Sequence, residues 1–426
     1  MSLPAFSKRL PFHYGWIAAG VTFLTLLAAA GARAAPSVMI VPLGNDFQWS
    51  RAKVSAIISF NIFLFGLVGP FAAALYESVG LRRTMMLAMA CIGGGYVAST
   101  YATQYWQFFF CWGLIVGLGS GTAATVLGAA VANRWFDRHR GLVMGILTAS
   151  SATGQLVFLP QLAQVVTAHG WRAAPKVVAW ACVLTLPIIA WLMRDGPEVA
   201  ANADGAPAAP PLRRVNPARL ALTTLGDAVK VRDFWLLAGS FFVCGASTNG
   251  LIGTHLVSAA YDCGIPEVRA ASLVALMGIF DLFGTTMSGW LSDRWNSRYL
   301  LFGYYGLRGL SLLFLPYALV GSSTMLLAFS VFYGLDWIAT VPPTVRLTAE
   351  VFGRERASIV FGWVVAAHQV GAAFAAFAAG WLRTTSGTYM LAFTGAGALC
   401  LGAALAVLPI SRAKAGGADL AGMPAH

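Results

Sequence analysis

Twelve apolar runs, each long enough to cross a bilayer, constrain this chain more than any other feature. They lie at roughly 14–43, 52–76, 84–103, 106–132, 141–168 and 173–193, then 233–260, 270–291, 299–320, 323–349, 357–382 and 388–410. A helix needs about 20 residues to cross the hydrocarbon core. Lipid cannot hydrogen-bond open backbone groups, so runs of this length must be helical. The expected fold class is an all-α polytopic membrane protein with twelve transmembrane helices in two six-helix halves.

Composition agrees. Hydrophobic residues make up 58% of the chain and charged residues 10%, where a soluble domain carries about a quarter charged. This excludes a cytosolic enzyme. It also excludes a nucleic-acid binder, despite a net charge of +12. The six cysteines are scattered without a C-x-x-C pair, and five lie in apolar runs, where Cys is a small buried hydrophobe. No disulfide framework, metal site or cofactor is expected. Lys8 and Arg9 ahead of the first run imitate a signal peptide, but eleven further spans make it a retained helix.

The basic residues report topology. With the N-terminus inside, nineteen of the 28 Lys and Arg fall in cytoplasmic segments and six in outer loops: Arg51, Lys53, Arg172, Lys176, Arg269 and Arg383. By the positive-inside rule this bias puts both termini in the cytoplasm, and the membrane expected is the cell inner membrane. Arg33, Arg308 and Arg346 remain inside spans.

The stretch 194–231 is polar and rich in Pro and Ala, as a cytoplasmic linker would be. It divides the chain into a first half (1–193), the linker, a second half (232–411) and a tail (412–426). The halves look repeated. Glu77-x-x-Gly80-x-Arg82 and Asp293-x-x-Asn296-x-Arg298 are 216 residues apart, and so are Phe136-x-Arg138-x-Arg140 and Phe352-x-Arg354-x-Arg356. A parallel six-plus-six duplication is the mark of a transporter with a central site between the halves.

Gly289-Trp-Leu-Ser-Asp293-Arg294-Trp-Asn-Ser-Arg298 follows the eighth run. Here the chain resembles the major facilitator superfamily, whose inner loop reads G-x-x-x-D-R-x-G-R. The first-half copy, from Ala73 to Arg83, has Ala73 for the Gly and Glu77 for the Asp. Together Glu77, Arg82, Arg83, Gly289, Asp293, Arg294 and Arg298 are the candidate gating loops. An acid at one helix end can meet a neighbouring helix N-terminus and nearby Arg side chains. That contact would latch the halves facing outward and break as they rock.

His13-Tyr14-Gly15-Trp16 opens the first span, and the segment from Trp135 and Phe136 through Arg138, Arg140 and Leu142 to Gly145 opens the fifth. These resemble the two signatures of the monocarboxylate porter family, and the oxalate/formate antiporter branch is similar. In that family an Asp and an Arg one helical turn apart on span 8 are functional. Asp281 matches the Asp, but Thr285 stands where the Arg would be, a departure from a simple lactate-type site.

Ionisable groups inside a membrane are expensive and mark function. Arg33 lies in the outer half of span 1, Arg308 mid-span 9, Asp281 mid-span 8, Asp336 mid-span 10 and His368 mid-span 11. Their repeat mates are Asn249, Ile92, Phe65, Ser120 and Ala152, so none of these charges is shared by both halves, which favours function. Arg33 is the first choice for an anion, because its fork matches a carboxylate; Asn249 and Arg308 are the other substrate candidates. Arg308 is expected to pair with Asp281, since an unpaired buried charge is very costly. Asp336 and His368 are proton-coupling candidates, although a His bonded to a neighbouring helix is an equal reading of His368. Arg346 is expected to be structural, and His255 lies too near the outer loop to weigh heavily.

The glycines from Gly113 to Gly121 do not form a phosphate loop, because no strand precedes them and no Lys follows; they permit close helix contact. Trp16, Trp49, Trp106 and Trp171 read as interface anchors. The expectation is a secondary transporter, a monomer, that carries a small organic anion by alternating access with protons or by exchange. The alternatives are an exporter of a larger amphipathic compound, such as a siderophore or drug, and a membrane sensor that binds ligand without moving it.

Overall fold

The computed structural model describes residues 13–136, 140–196 and 217–411. Helices occupy all twelve expected runs. The first six are α1 (Gly15–Phe47), α2 (Arg51–Ser78), α3 (Leu81–Thr100), α4 (Tyr105–Trp135), α5 (Arg140–His169) and α6 (Ala173–Leu192). A short helix follows, α7 (Pro217–Ala228). The last six are α8 (Arg232–Asp262), α9 (Glu267–Ser292), α10 (Ser297–Val320), α11 (Ser323–Phe352), α12 (Arg354–Ser386) and α13 (Met390–Ala406). Among the described residues, nine of these are long and apolar enough to cross a membrane; α3, α10 and α13 are not among the nine. Lys8, Arg9, the tail 412–426, Arg138 of the fifth-span signature and most of the expected linker lie outside the described residues.

The same pairings recur in both sets of six. In the first, α1 packs on α5, α3 on α6, and α2 on α4; in the last, α8 packs on α12, α10 on α13, and α9 on α11. The two sets meet where α2 packs on α12, α5 on α9, and α1 on α8. Small residues make these seams. Ala28, Ala29, Ala32 and Ala35 of α1 are buried, while Leu87, Trp180, Leu184, Phe283 and Phe374 point outward. Small side chains let backbones approach closely where lipid supplies no hydrophobic drive between helices.

Two interruptions also repeat. Helix α4 breaks between Thr122 and Thr125, and α11 breaks between Asp336 and Val341. In α11, Pro342 and Pro343 open the second segment, and Pro has no N–H to continue the helical ladder. The freed backbone groups need other partners.

The expected linker contains the helix α7. Its Ala221 carbonyl accepts a bond from Trp363 Nε1 at 3.0 Å, and Asp227 Oδ2 lies 3.6 Å from Arg356 Nη1. These contacts tie α7 to the start of α12.

Candidate functional site

The charges of the last six helices gather around the break in α11. Gly284 of α9 crosses α11 so closely that a Cβ there would overlap the Leu335 carbonyl oxygen. That approach brings Asp281, one turn earlier, beside the break. Asp281 Oδ1 accepts the Ile338 N–H at 2.9 Å and the Thr285 hydroxyl at 2.9 Å. Thr285, which stands where the resemblance implies an Arg, therefore holds the acid in place.

Arg308 of α10 is fully buried. Its Nε donates to Asp336 Oδ2 at 2.7 Å, Nη1 to Cys244 Sγ at 2.9 Å, and Nη2 to the carbonyls of Asp336 and Trp337. The expected pair with Asp281 is thus replaced by a pair with Asp336. The reason is geometric: Asp336 and the freed carbonyls lie on the same turn, so one guanidinium satisfies all of them. Among the described residues, the second oxygen of Asp336, Oδ1, is buried and receives no hydrogen bond.

His368 of α12 is half-buried, its ring 5.0 Å from that of Phe241. Its Nδ1 is buried and has no hydrogen-bond partner among the described residues. Asn249 lies half-buried in a π-helical stretch of α8, Ala246–Ile252.

Arg33 is placed differently. It is half-buried in α1, and its guanidinium carbon stands 5.4 Å from the Phe65 ring of α2. The next residue, Gly66, faces Gln369 of α12, whose Cβ would overlap any Cβ added at Gly66. The ring partner of Arg33, Phe65, is thus one residue along α2 from the contact between the two sets of six, whereas Arg308 is sealed within the last six. Gln369 was not among the sequence candidates; a buried Gln next to a His is weak evidence without the partner helix.

Among the described residues, the contacts of the gating loops fall within their own sets. The Arg82 N–H donates to Asp195 Oδ1 at 2.9 Å, and Arg134 reaches the carbonyls of Asp195 and Tyr76. Arg83 is exposed, and the Glu77 side chain lies outside what the structure describes. Arg298 donates to the carbonyls of Leu408 and Ile410 at 3.2 and 3.0 Å. Arg294 lies 4.1 Å from the Trp290 ring, Asp293 is exposed, and Gly289 faces open space. Arg346 binds the Ser292 carbonyl and Glu350. Sequence reasoning missed Asp195, which lies beyond the end of α6 and far from the motif in the chain.

His255, two turns from the Asp262 end of α8, is fully buried. Its Nε2 lies 2.7 Å from the Ala376 carbonyl oxygen and Nδ1 3.3 Å from the Tyr389 hydroxyl. A cleft of about 800 Å³ opens near that end between α5 and α9, lined by Asp46, His169, Arg172 and Glu267 among others. None of the substrate candidates lines it.

The family model of the Major Facilitator Superfamily matches residues 21–343 and 250–423. An uncharacterized MFS-type transporter of Bacillus subtilis, YcxA, is 24% identical over 88% of this chain and 90% of its own length. Monocarboxylate transporter 12-B of Danio rerio is 26% identical over 89% of this chain and 83% of its own. Among solved structures, a D-xylose–proton symporter superposes with a TM-score of 0.71 at 14% identity, covering 94% of this chain and 98% of the other. A bacterial homologue of the human lysosomal transporter Spinster gives 0.68 at 16% identity, over 93% and 95%.

Proposed function

Since this chain belongs to the major facilitator superfamily, we propose that it carries a small organic anion, of the monocarboxylate type, by alternating access. The observation that carries this reading is the position of Arg33: a guanidinium within α1 set against the ring of Phe65, one residue along α2 from the contact with α12. A group there can meet substrate from either side as the seam opens and closes, and its fork suits a carboxylate. Asn249 is the second substrate contact in this reading. Arg308 is not, because its donors are committed to Asp336, Cys244 and the α11 carbonyls.

Protons are the coupling ion of this reading. Asp336 Oδ1 and His368 Nδ1 are buried polar atoms without a hydrogen-bond partner among the described residues, and this reading places the coupled proton there. The same reading puts both termini in the cytoplasm and the protein in the inner membrane. The Arg51 end of the bundle then points outward, because that orientation follows the bias of basic residues. The two sets of six act as rocking halves. The relatives named as monocarboxylate transporters support the substrate class at about a quarter identity.

Uptake of labelled monocarboxylates into proteoliposomes, with and without an imposed pH gradient, tests the proposal. Accumulation only when the outside is acid supports proton symport. Counterflow without any pH dependence supports exchange, and no movement of any monocarboxylate sinks the substrate class.

A further inference from the structure

We propose that Asp262, gripped between Arg51 and Arg383, is the outer gate of the transport cycle, an assignment that rests on the alternating-access reading above. Arg51 opens α2 in the first six helices; Asp262 ends α8 and Arg383 lies in the last turn of α12, both in the last six. Arg383 Nε donates to Asp262 Oδ2 at 2.6 Å, and Arg51 Nη2 lies 3.5 Å from Asp262 Oδ1. One carboxylate thus spends its two oxygens on cations from opposite sides of the seam. The side chains of Arg51, Asp262 and Arg383 are 15, 19 and 27% exposed, so water screens them less than it screens a free surface pair.

The cluster caps a continuous seam. Below it the Ala52 N–H donates to Thr384 Oγ1 at 3.0 Å, and the Ser59 hydroxyl donates to the Ala373 carbonyl at 2.7 Å. Between them, Gly380 lies so close to Ser55 that a Cβ would overlap its hydroxyl, and Gly66 meets Gln369 at the lower end. Helices α2 and α12 are therefore joined from the outer end down to Gly66. These contacts all lie at Gly66 or on its Arg51 side. For the site to face outward, this seam must part.

Among the described residues, Arg51–Asp262 is the ion pair that links the first six helices to the last six. Its removal has a definite sign. Without the carboxylate, Arg51 and Arg383 confront each other as like charges across the seam, and attraction becomes repulsion. The α8 side of the gate is held by His255, two turns before Asp262, through Ala376 and Tyr389, so movement falls on the α2 side.

The test needs no substrate. In a Cys263→Ser background, which removes the exposed thiol beside Asp262, cysteines are placed singly at two positions. Ser59→Cys reports the outer seam. Gly362→Cys, seven residues before Gln369 on the same face of α12 and facing open space, reports the inner side. A membrane-impermeant maleimide is applied from outside to the first and from inside to the second. With Asp262 present, Ser59→Cys labels slowly and Gly362→Cys quickly. Asp262→Asn raises the first rate about fivefold or more and lowers the second, as a population shift requires. Arg51→Gln, which leaves Arg383–Asp262 intact, moves both rates in the same direction by less. Unchanged labelling of Ser59→Cys in both folded, monodisperse variants overturns the gate. A rise at Ser59→Cys with no fall at Gly362→Cys keeps the gate and overturns alternating access.

Discussion

Asp281 and Arg308 stitch one interruption of α11 from opposite sides. Asp281 accepts the Ile338 N–H at 2.9 Å, while Arg308 donates to the Trp337 carbonyl at 3.2 Å and to that of Asp336. At the matching break in α4, the Thr122 carbonyl is bonded by the neutral hydroxyl of Tyr76. The same backbone problem is thus solved with charges in one set of helices and without them in the other. The absence of a charge from a repeat mate is therefore poor evidence that the charge serves transport.

Arg308→Met should destabilise the folded protein by about 3–5 kcal/mol, because it strands Asp336 as an uncompensated buried charge. Arg308→Met with Asp336→Leu should recover part of this loss. Full recovery is not expected, since the freed carbonyls of Asp336 and Trp337 stay unsatisfied. Thermal unfolding of the detergent-purified variants measures both; a double variant no better than the single one would assign the whole effect to the carbonyls.

Gly284→Ala should lower stability by about 1–3 kcal/mol through overpacking, because its Cβ would meet the Leu335 carbonyl oxygen. Gly303→Ala, where a Cβ meets nothing within 4 Å, is the control and should not destabilise. Equal melting temperatures for the two variants would contradict the close crossing of α9 and α11.

Arg33→Ala should reduce monocarboxylate uptake about 10- to 100-fold, the worth of a charge-assisted hydrogen bond of roughly 1.5–3 kcal/mol. Its folded state should survive purification, so that the loss of uptake can be read apart from a loss of fold. Arg33→Lys keeps the charge but loses the fork and should restore uptake only partly. Native uptake by Arg33→Ala removes the residue from the substrate site.

His368→Gln should keep substrate exchange while losing stimulation by an acidic exterior. The sign follows from symport: protons entering down their gradient draw substrate inward, so acid outside accelerates uptake only while the coupling group can be protonated. Initial rates measured across imposed pH gradients check this, and unchanged acid stimulation would return His368 to a packing role.

The membrane class was legible because hydropathy acts span by span, and each run carries its own signal. The repeat was legible for a similar reason, since two loops kept one offset. The helix α7 was hidden because Pro217 and its neighbours continue a polar, Pro-rich stretch, and its packing against Trp363 and Arg356 depends on residues more than a hundred positions away. Asp195 escaped notice likewise.

From the sequence alone it followed that Arg308 needed a buried partner, because a lone charge among apolar helices is too costly to leave unmet. The sequence also marked Arg33, Asp281, Asp336 and His368 as the exceptional residues. Only the tertiary structure decided that the partner is Asp336, that Asp281 caps the break instead, and that Asp262 joins Arg51 to Arg383. The physical reason is that burial cost is set by residue type, which the chain displays, whereas pairing depends on where helices cross. Those crossings are fixed by close contacts such as Gly284 on Leu335 and Gly66 on Gln369, and no local pattern in the chain encodes which helix will be the neighbour.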